Sequence, residues 1–518
     1  MRYSLRLACV LAAALAVAAL LPLSPAQAGP PASGGGDVAE RLAEMTRSIE
    51  IDGETLDFTT RAGTLVVRND EGEPVAELFY VAHELDGTDR DRRPLTFIWD
   101  GGPGGSTMLM DVLGYGPLRH APATNPKARA PFRADPNPHT LLRQSDLVFI
   151  DLIGTGYSRA VGRARNSDFW GVGPDADVTA KAIERYLKLT RRWQSPKFLL
   201  GNSYGTTRAA VVSRRLQGMG IALNGVVLVA SALNFGAFSN GMDHQFVVNL
   251  PTMAAVAWHH GKTAHQEAPL DRFLDEVEAF AGGDYAQALF AGNALDAERR
   301  REIAEKLSGY IGLDRDYIER AHLRVSVVRF RKELLRGEGK VVGRLDGREV
   351  SSDFDHAGEE PETDHTIGAK LYVPATTIMQ DTLAKLGYRE DARYVVGNPQ
   401  ATALWKWEHP VPDTAGISRR EIEDNNVFPQ NTWAAADLGA AMRADPHLKV
   451  MQIHGYFDFA TPYWMGDYDL SRMTFDDALR SNIVVRYYAT GHAPYADDQT
   501  LPHMARDLAA FYEAATAQ

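Results

Sequence analysis

Three residues of the kinds that together cleave acyl bonds each stand just past a short apolar run: Ser203, Asp458 and His492. Serine alone is a poor nucleophile. A histidine must take its proton and later return it to the leaving group, while a carboxylate fixes the imidazole and stabilises its cation. Ser203 lies in Gly201-Asn202-Ser203-Tyr204-Gly205, after the apolar Phe198 to Leu200 and before the helix-forming stretch that runs through Ala209 and Ala210. Strand, tight turn and helix in that order make a nucleophile elbow, with glycines where the strand and helix pack too closely for a Cβ. The helix N-terminus behind the serine favours the negative charge that builds up in acyl transfer. Taken alone, the five-residue pattern also fits a glycine-rich turn without chemistry.

Position along the chain strengthens the chemical reading. Asp458 follows the strand-like Leu448 to Ile453, and His492 follows Ile483 to Tyr488. Reactive groups of parallel sheets gather at the carboxyl ends of strands, so three strands would deliver three partners to one edge. Asp467 and Asp469 compete for the acid's place; Asp458 is preferred because its strand ends just ahead of it. An oxyanion hole needs two backbone donors. One is expected from Tyr204, directly after the nucleophile, and the other from Gly102 in the loop Trp99-Asp100-Gly101-Gly102-Pro103-Gly104-Gly105-Ser106. That loop lacks the Lys-Ser/Thr pair and the Gly spacing of a phosphate site.

The elements that must hold these residues alternate. Thr64 to Arg68, Ala76 to Ala82, Leu95 to Trp99, Leu147 to Ile150 and Gly225 to Val229 read as strands, and Asp177 to Arg192 and Leu501 to Ala515 as helices. Such alternation predicts an α/β protein with a mostly parallel sheet and helices on its faces. From 234 to 446 helical periodicity dominates, over Asp271 to Phe280, Asp296 to Leu307, Asp314 to Leu335 and Asn431 to Met442, and the stretch is read as an inserted, mainly helical cap. The acidic run Asp353 to Glu362 reads as a solvated loop, since it lacks the alternate-ligand spacing of a calcium loop. No metal site is expected: His259 and His260 have no companion at ligand spacing.

Met1 to Ala28 has the form of a signal peptide: Arg2 and Arg6, an apolar Leu7 to Leu21, and the small-x-small Ala26-Gln27-Ala28. Residues 29–45 read as a flexible linker, 46–233 and 447–518 as the two parts of the core, and 234–446 as the cap. Export to the periplasm or the medium is therefore expected. Cys9, the only cysteine, would leave with the signal, excluding disulfides, thiolate metal sites and a cysteine nucleophile. A net charge of −12 argues against non-specific nucleic-acid binding, and no second segment is long and apolar enough to span a bilayer. Triad chemistry requires no cofactor, and none is expected.

Several of these segments resemble one family. Trp99 to Ser106 resembles the Trp-Asn-Gly-Gly-Pro-Gly-Cys-Ser box of the serine carboxypeptidases, Asp151 to Ser158 their Asp-x-Pro-x-Gly-Thr-Gly-Phe-Ser segment, and Gly201 to Gly205 their Gly-Glu-Ser-Tyr-Gly. Gly455 to Asp458 and Gly491-His492 are similar to their acid and histidine boxes. The resemblance implies an α/β-hydrolase fold with a helical insertion, and removal of C-terminal residues from peptide substrates, often best at acidic pH. It also implies that Asp100, Gly101 and Asn202 contact substrate. The family binds the terminal carboxylate with an asparagine and a glutamate, at the positions held here by Asp100 and Asn202, so acid and amide are exchanged. The family's glutamate before Leu-Gly-Pro has no counterpart at Gly114-Tyr115-Gly116-Pro117, and Gly105 replaces the box cysteine. A proline-type aminopeptidase, an esterase or acyltransferase of the same fold, and a silent hydrolase-fold binding protein are the alternatives.

Overall fold

The computed structural model describes residues 38–122, 129–236, 241–362, 364, 368–409, 432–473 and 476–517. The expected signal peptide, Cys9 and the start of the linker lie outside them. Nine strands carry the architecture: β1 (Leu42–Ile51), β2 (Glu54–Arg68), β3 (Pro74–Leu85), β4 (Leu95–Trp99), β5 (Asp146–Ile150), β6 (Lys197–Asn202), β7 (Gly225–Val229), β8 (Lys449–Gly455) and β9 (Ile483–Tyr488). They hydrogen-bond in the order β1-β2-β3-β5-β4-β6-β7-β8-β9 within a ten-stranded sheet whose remaining strand, Arg159–Ala160, pairs with β3. The first four strands in that order pair antiparallel, and from β5 to β9 every pairing is parallel. Strand order and direction are those of an α/β-hydrolase sheet.

The central strands are buried along their whole length, because both faces are covered. Side chains alternate between two cores. Phe97, Trp99, Leu199, Val226 and Leu228 join one, with helices α1 (Val172–Thr190), α2 (Tyr204–Gly218) and α8 (Ala435–Ala444). Ile98, Phe198, Leu200, Val227 and Val229 join the other, with α7 (Val373–Leu386) and α10 (Leu501–Thr516). A third core is built between α3 (His244–His259), α4 (Leu270–Phe280), α5 (Ala297–Ile311) and α6 (Val327–Glu333), and takes in Phe457, Phe459 and Tyr463 from the carboxyl end of the sheet. Helix α9 (Tyr463–Met473) follows β8. Among the described residues no helix is long and apolar enough to cross a membrane.

Two expectations are corrected. Strand β1 begins at Leu42, inside the stretch 29–45 read as linker. Its Leu-Ala-Glu-Met start favours helix, yet ten residues pair with β2 in register, and tertiary pairing overrides local preference. The expected single helix Asp314 to Leu335 is two, Arg315–Arg320 and α6. His322 and Leu323 take left-handed backbone angles between them, and Ser326 caps α6 by accepting from Arg329 N.

Candidate active site

Strand register builds the site. Trp99 pairs with Gly201, so Asp100 and Asn202, the next residues on each strand, come side by side. Asn202 Nδ2 donates to Asp100 Oδ1 at 2.9 Å, and Gly101 N donates to the same oxygen at 2.8 Å. Burial holds the Asp100 carboxyl above its ordinary range, against these two hydrogen bonds and the Coulombic pull of His492 and Arg208.

Ser203 sits at the turn with φ 58° and ψ −129°, a conformation that costs a non-glycine residue about 1–3 kcal/mol. The surroundings hold it there: Ser203 N donates to Val229 O at 2.9 Å, and its carbonyl accepts from Thr206 Oγ1 at 2.7 Å. A Cβ on Gly205 would approach Trp99 O to 2.9 Å, and one on Gly101 would lie 2.5 Å from Tyr204 N and 2.7 Å from Ser203 Cβ. Only glycines let the β4 loop lie against the elbow. Tyr204 is the first residue of α2, so its N–H precedes the intrahelical ladder and remains for a ligand. Gly102, the other expected donor, lines the same cavity, whereas the Gly101 N–H is spent on Asp100.

Behind the elbow, Arg208 and Asp175 form an ion pair with both side chains almost fully buried. Arg208 Nε donates to Asp175 Oδ2 at 2.7 Å and Nη1 to the Asp100 carbonyl at 3.2 Å, tying α2, α1 and the β4 loop together. Removing one partner of such a pair costs about 3–5 kcal/mol.

Asp458 and His492 follow the neighbouring strands β8 and β9, paired in register through Gly455 and Tyr488. His492 Nδ1 lies 2.7 Å from Asp458 Oδ2. Asp458 is fully buried and further satisfied by Ala460 N at 2.7 Å, Thr461 N at 3.2 Å and Thr461 Oγ1 at 2.6 Å. An acceptor so fixed holds the ring proton on Nδ1 and leaves Nε2 to accept one. The competing acids are occupied elsewhere: Asp467 with Gln452 and Tyr487, Asp469 with Asn234. Ser203, Tyr204, His492, Asp100, Gly101, Gly102 and Asn202 all line one cavity of about 740 Å³. Every expected site residue except Asp458, which stands behind His492, therefore borders one space. Those groups can activate a hydroxyl, hold an oxyanion and shuttle one proton.

Residues 51–244 match the serine carboxypeptidase family model. The chain resembles the serine carboxypeptidases. The matched stretch holds the β4 loop and Ser203; Asp458 and His492 lie beyond it and are joined to the site by geometry. No curated protein sequence matches the chain. Similar solved structures include a proline iminopeptidase of Mycobacterium smegmatis, at 13% identity over 88% of this chain and 98% of that one with a TM-score of 0.36. A putative aryl esterase from Burkholderia cenocepacia is 16% identical over 88% and 100%, TM-score 0.32. A peroxisomal α/β-hydrolase from Saccharomyces cerevisiae is 9% identical over 92% and 90%, TM-score 0.36.

Where the sequence departs from the serine carboxypeptidase pattern, the structure gives the reason. A Cβ on Gly114 would lie 2.7 Å from the ring of Tyr495, so the space of the family's glutamate is filled by an aromatic side chain from beyond His492. At Gly105 the backbone closes the loop instead of a disulfide, Gly105 N donating to Gly101 O at 2.9 Å.

Other residues of the site carry no motif. His454, on β8, is fully buried, and neither ring nitrogen has a partner among the described residues. Burial lowers its pKa to about 4, keeping it neutral near Asp458 and His492. The segment 344–348 crosses the site: Phe459 N donates to Arg344 O at 3.0 Å, Gly347 N to Phe457 O at 2.8 Å and His492 N to Leu345 O at 2.6 Å. Thr461 bonds the acid. A threonine three residues past the candidate acid was the one available signal; the strap has none, being held by contacts across more than a hundred residues.

Proposed function

We propose that the protein is a serine carboxypeptidase-type peptidase, hydrolysing C-terminal peptide bonds through an acyl-enzyme on Ser203. The observation that carries the reading is the Asp458–His492 pair at 2.7 Å, its histidine bordering one cavity with a strained serine, in a chain whose residues 51–244 match the serine carboxypeptidases. In this reading Ser203 Oγ attacks the scissile carbonyl while His492 Nε2 takes its proton. Tyr204 N and Gly102 N hold the oxyanion. The imidazolium, stabilised by Asp458, then protonates the departing amine, and water repeats the sequence to free the shortened peptide. Asp100 and Asn202, bonded to each other, wall the elbow side of the site, and export places the enzyme outside the cytoplasm.

The aminopeptidase, esterase and acyltransferase readings share the acyl-enzyme on Ser203: the first differs in which end of the peptide is held, the second releases an alcohol instead of an amine, and the third passes the acyl group to an acceptor other than water. Two peptides of one sequence separate them, one acetylated at the amino end and one amidated at the carboxyl end, with products followed by mass spectrometry. The acetylated peptide is expected to shorten from its C-terminus and the amidated one to resist. Shortening from the amino end, or cleavage of small esters alone, would overturn the assignment.

A further inference from the structure

The cap brings a cation to the cavity that the triad does not use. Arg331 lies on α6, its side chain 7% exposed, and borders the same cavity as Ser203 and His492. Its Nε donates to Val342 O at 3.0 Å, and Nη2 reaches Asp364 Oδ2 only at 3.5 Å, beyond good hydrogen-bond geometry. Among the described residues Nη1 has no acceptor. Burial, with the like charge of Arg344, lowers its pKa to about 10 against the opposing charges of Asp364 and Asp353. A buried guanidinium with unspent donors gains most from a planar anion, which it grips through two parallel N–H···O bonds.

The elbow side of the cavity supplies no such charge. Asp100 and Asn202 are bonded to each other, and Tyr495 fills the space at Gly114. Val327 and Val328 from α6, and Phe246 and Met253 from α3, line the same cavity. Arg344 also borders the cavity, engaged through its backbone N–H with Asp364. The acids Glu360 and Glu362 reach it from the exposed loop that follows. In a chain of net charge −12, a buried arginine bordering this cavity is a specific feature rather than part of a general basic surface.

We infer that Arg331 is the anchor for the free terminal carboxylate of the peptide substrate. This rests on the carboxypeptidase reading and names the group that gives it its exopeptidase character. The carboxylate takes the donors of Arg331 in the cap while the scissile carbonyl lies at Ser203. A terminal amide offers one acceptor and no charge.

The test compares N-acetylated peptides ending in a free carboxylate or an amide, on wild type, Arg331→Ala and Arg331→Lys. Each kcat/KM is normalised to p-nitrophenyl acetate hydrolysis by the same preparation. A hydrogen bond to a charged group contributes about 1.5–3 kcal/mol, so the acid-to-amide ratio should fall roughly ten- to hundredfold in Arg331→Ala, with Arg331→Lys between the two. A wild type that prefers the acid while Arg331→Ala keeps the full preference overturns the anchor and leaves the carboxypeptidase reading standing. A wild type indifferent to the terminal group overturns both. Should Arg331→Ala lose its thermal unfolding transition, Arg331→Gln, which keeps the stem and an amide donor, takes its place under the same criteria.

Discussion

Asp100 is the residue at which burial and chemistry meet. Its carboxyl borders the same cavity as Ser203, and desolvation holds its pKa above the ordinary carboxylate value. The sign follows directly. As pH falls through that raised value the group takes up its proton, and a substrate carboxylate in the same cavity is no longer repelled; as pH rises through it, repulsion returns at low local dielectric. For peptides with a free C-terminus, kcat/KM should therefore decline on the alkaline side of the raised Asp100 value. In Asp100→Asn, neutral at every pH, that decline should vanish. A variant profile superimposable on wild type would show that Asp100 does not face the substrate's charge. The neighbouring residues Asn202 and Gly101 are committed to Asp100 through its Oδ1, so the acid and amide that stand exchanged relative to the serine carboxypeptidases are bonded to each other.

At the scale of elements, the site depends on a strap from the insertion as much as on the strands beneath it. Residues 344–348 accept from or donate to Phe459, Phe457 and His492, and Arg348 adds side-chain bonds to Ala489 O at 2.6 Å and Asp497 Oδ2 at 2.8 Å. The loops carrying the acid and the histidine are thus held by one segment that belongs to neither strand. Truncation by Arg348→Ala should lower kcat by about tenfold, with KM changed less, because small displacements of catalytic groups cost rate before they cost binding. Steady-state kinetics on an ester and a peptide check this; an unchanged kcat on both would show the strap to be packing alone. The strands that follow the elbow were legible because covered parallel strands are uninterrupted apolar runs, as in Val226 to Val229. Edge strand β1, with polar residues on its exposed side, and the helices α3 and α7 were not, since Pro251 interrupts the first and Pro374 opens the second.

Across the whole molecule, residues separated by almost the full length of the described chain converge at one end of a parallel sheet. The strand–turn–helix at Ser203 and the two late strands announced that convergence, because the alternation of apolar runs fixes which ends of the strands align. The partners contributed by the insertion, Arg331, Arg344 and Leu345, could not be read in advance: helical periodicity tells which face of a helix is apolar but not where the helix docks. The central claim is that this convergence makes Ser203 a nucleophile. The direct measurement is labelling of the intact protein with a fluorophosphonate probe, followed by peptide mapping of the adduct. A single adduct on Ser203 is predicted, absent from Ser203→Ala and strongly slowed in His492→Ala. An unlabelled wild type, or an adduct that persists in Ser203→Ala, would contradict it.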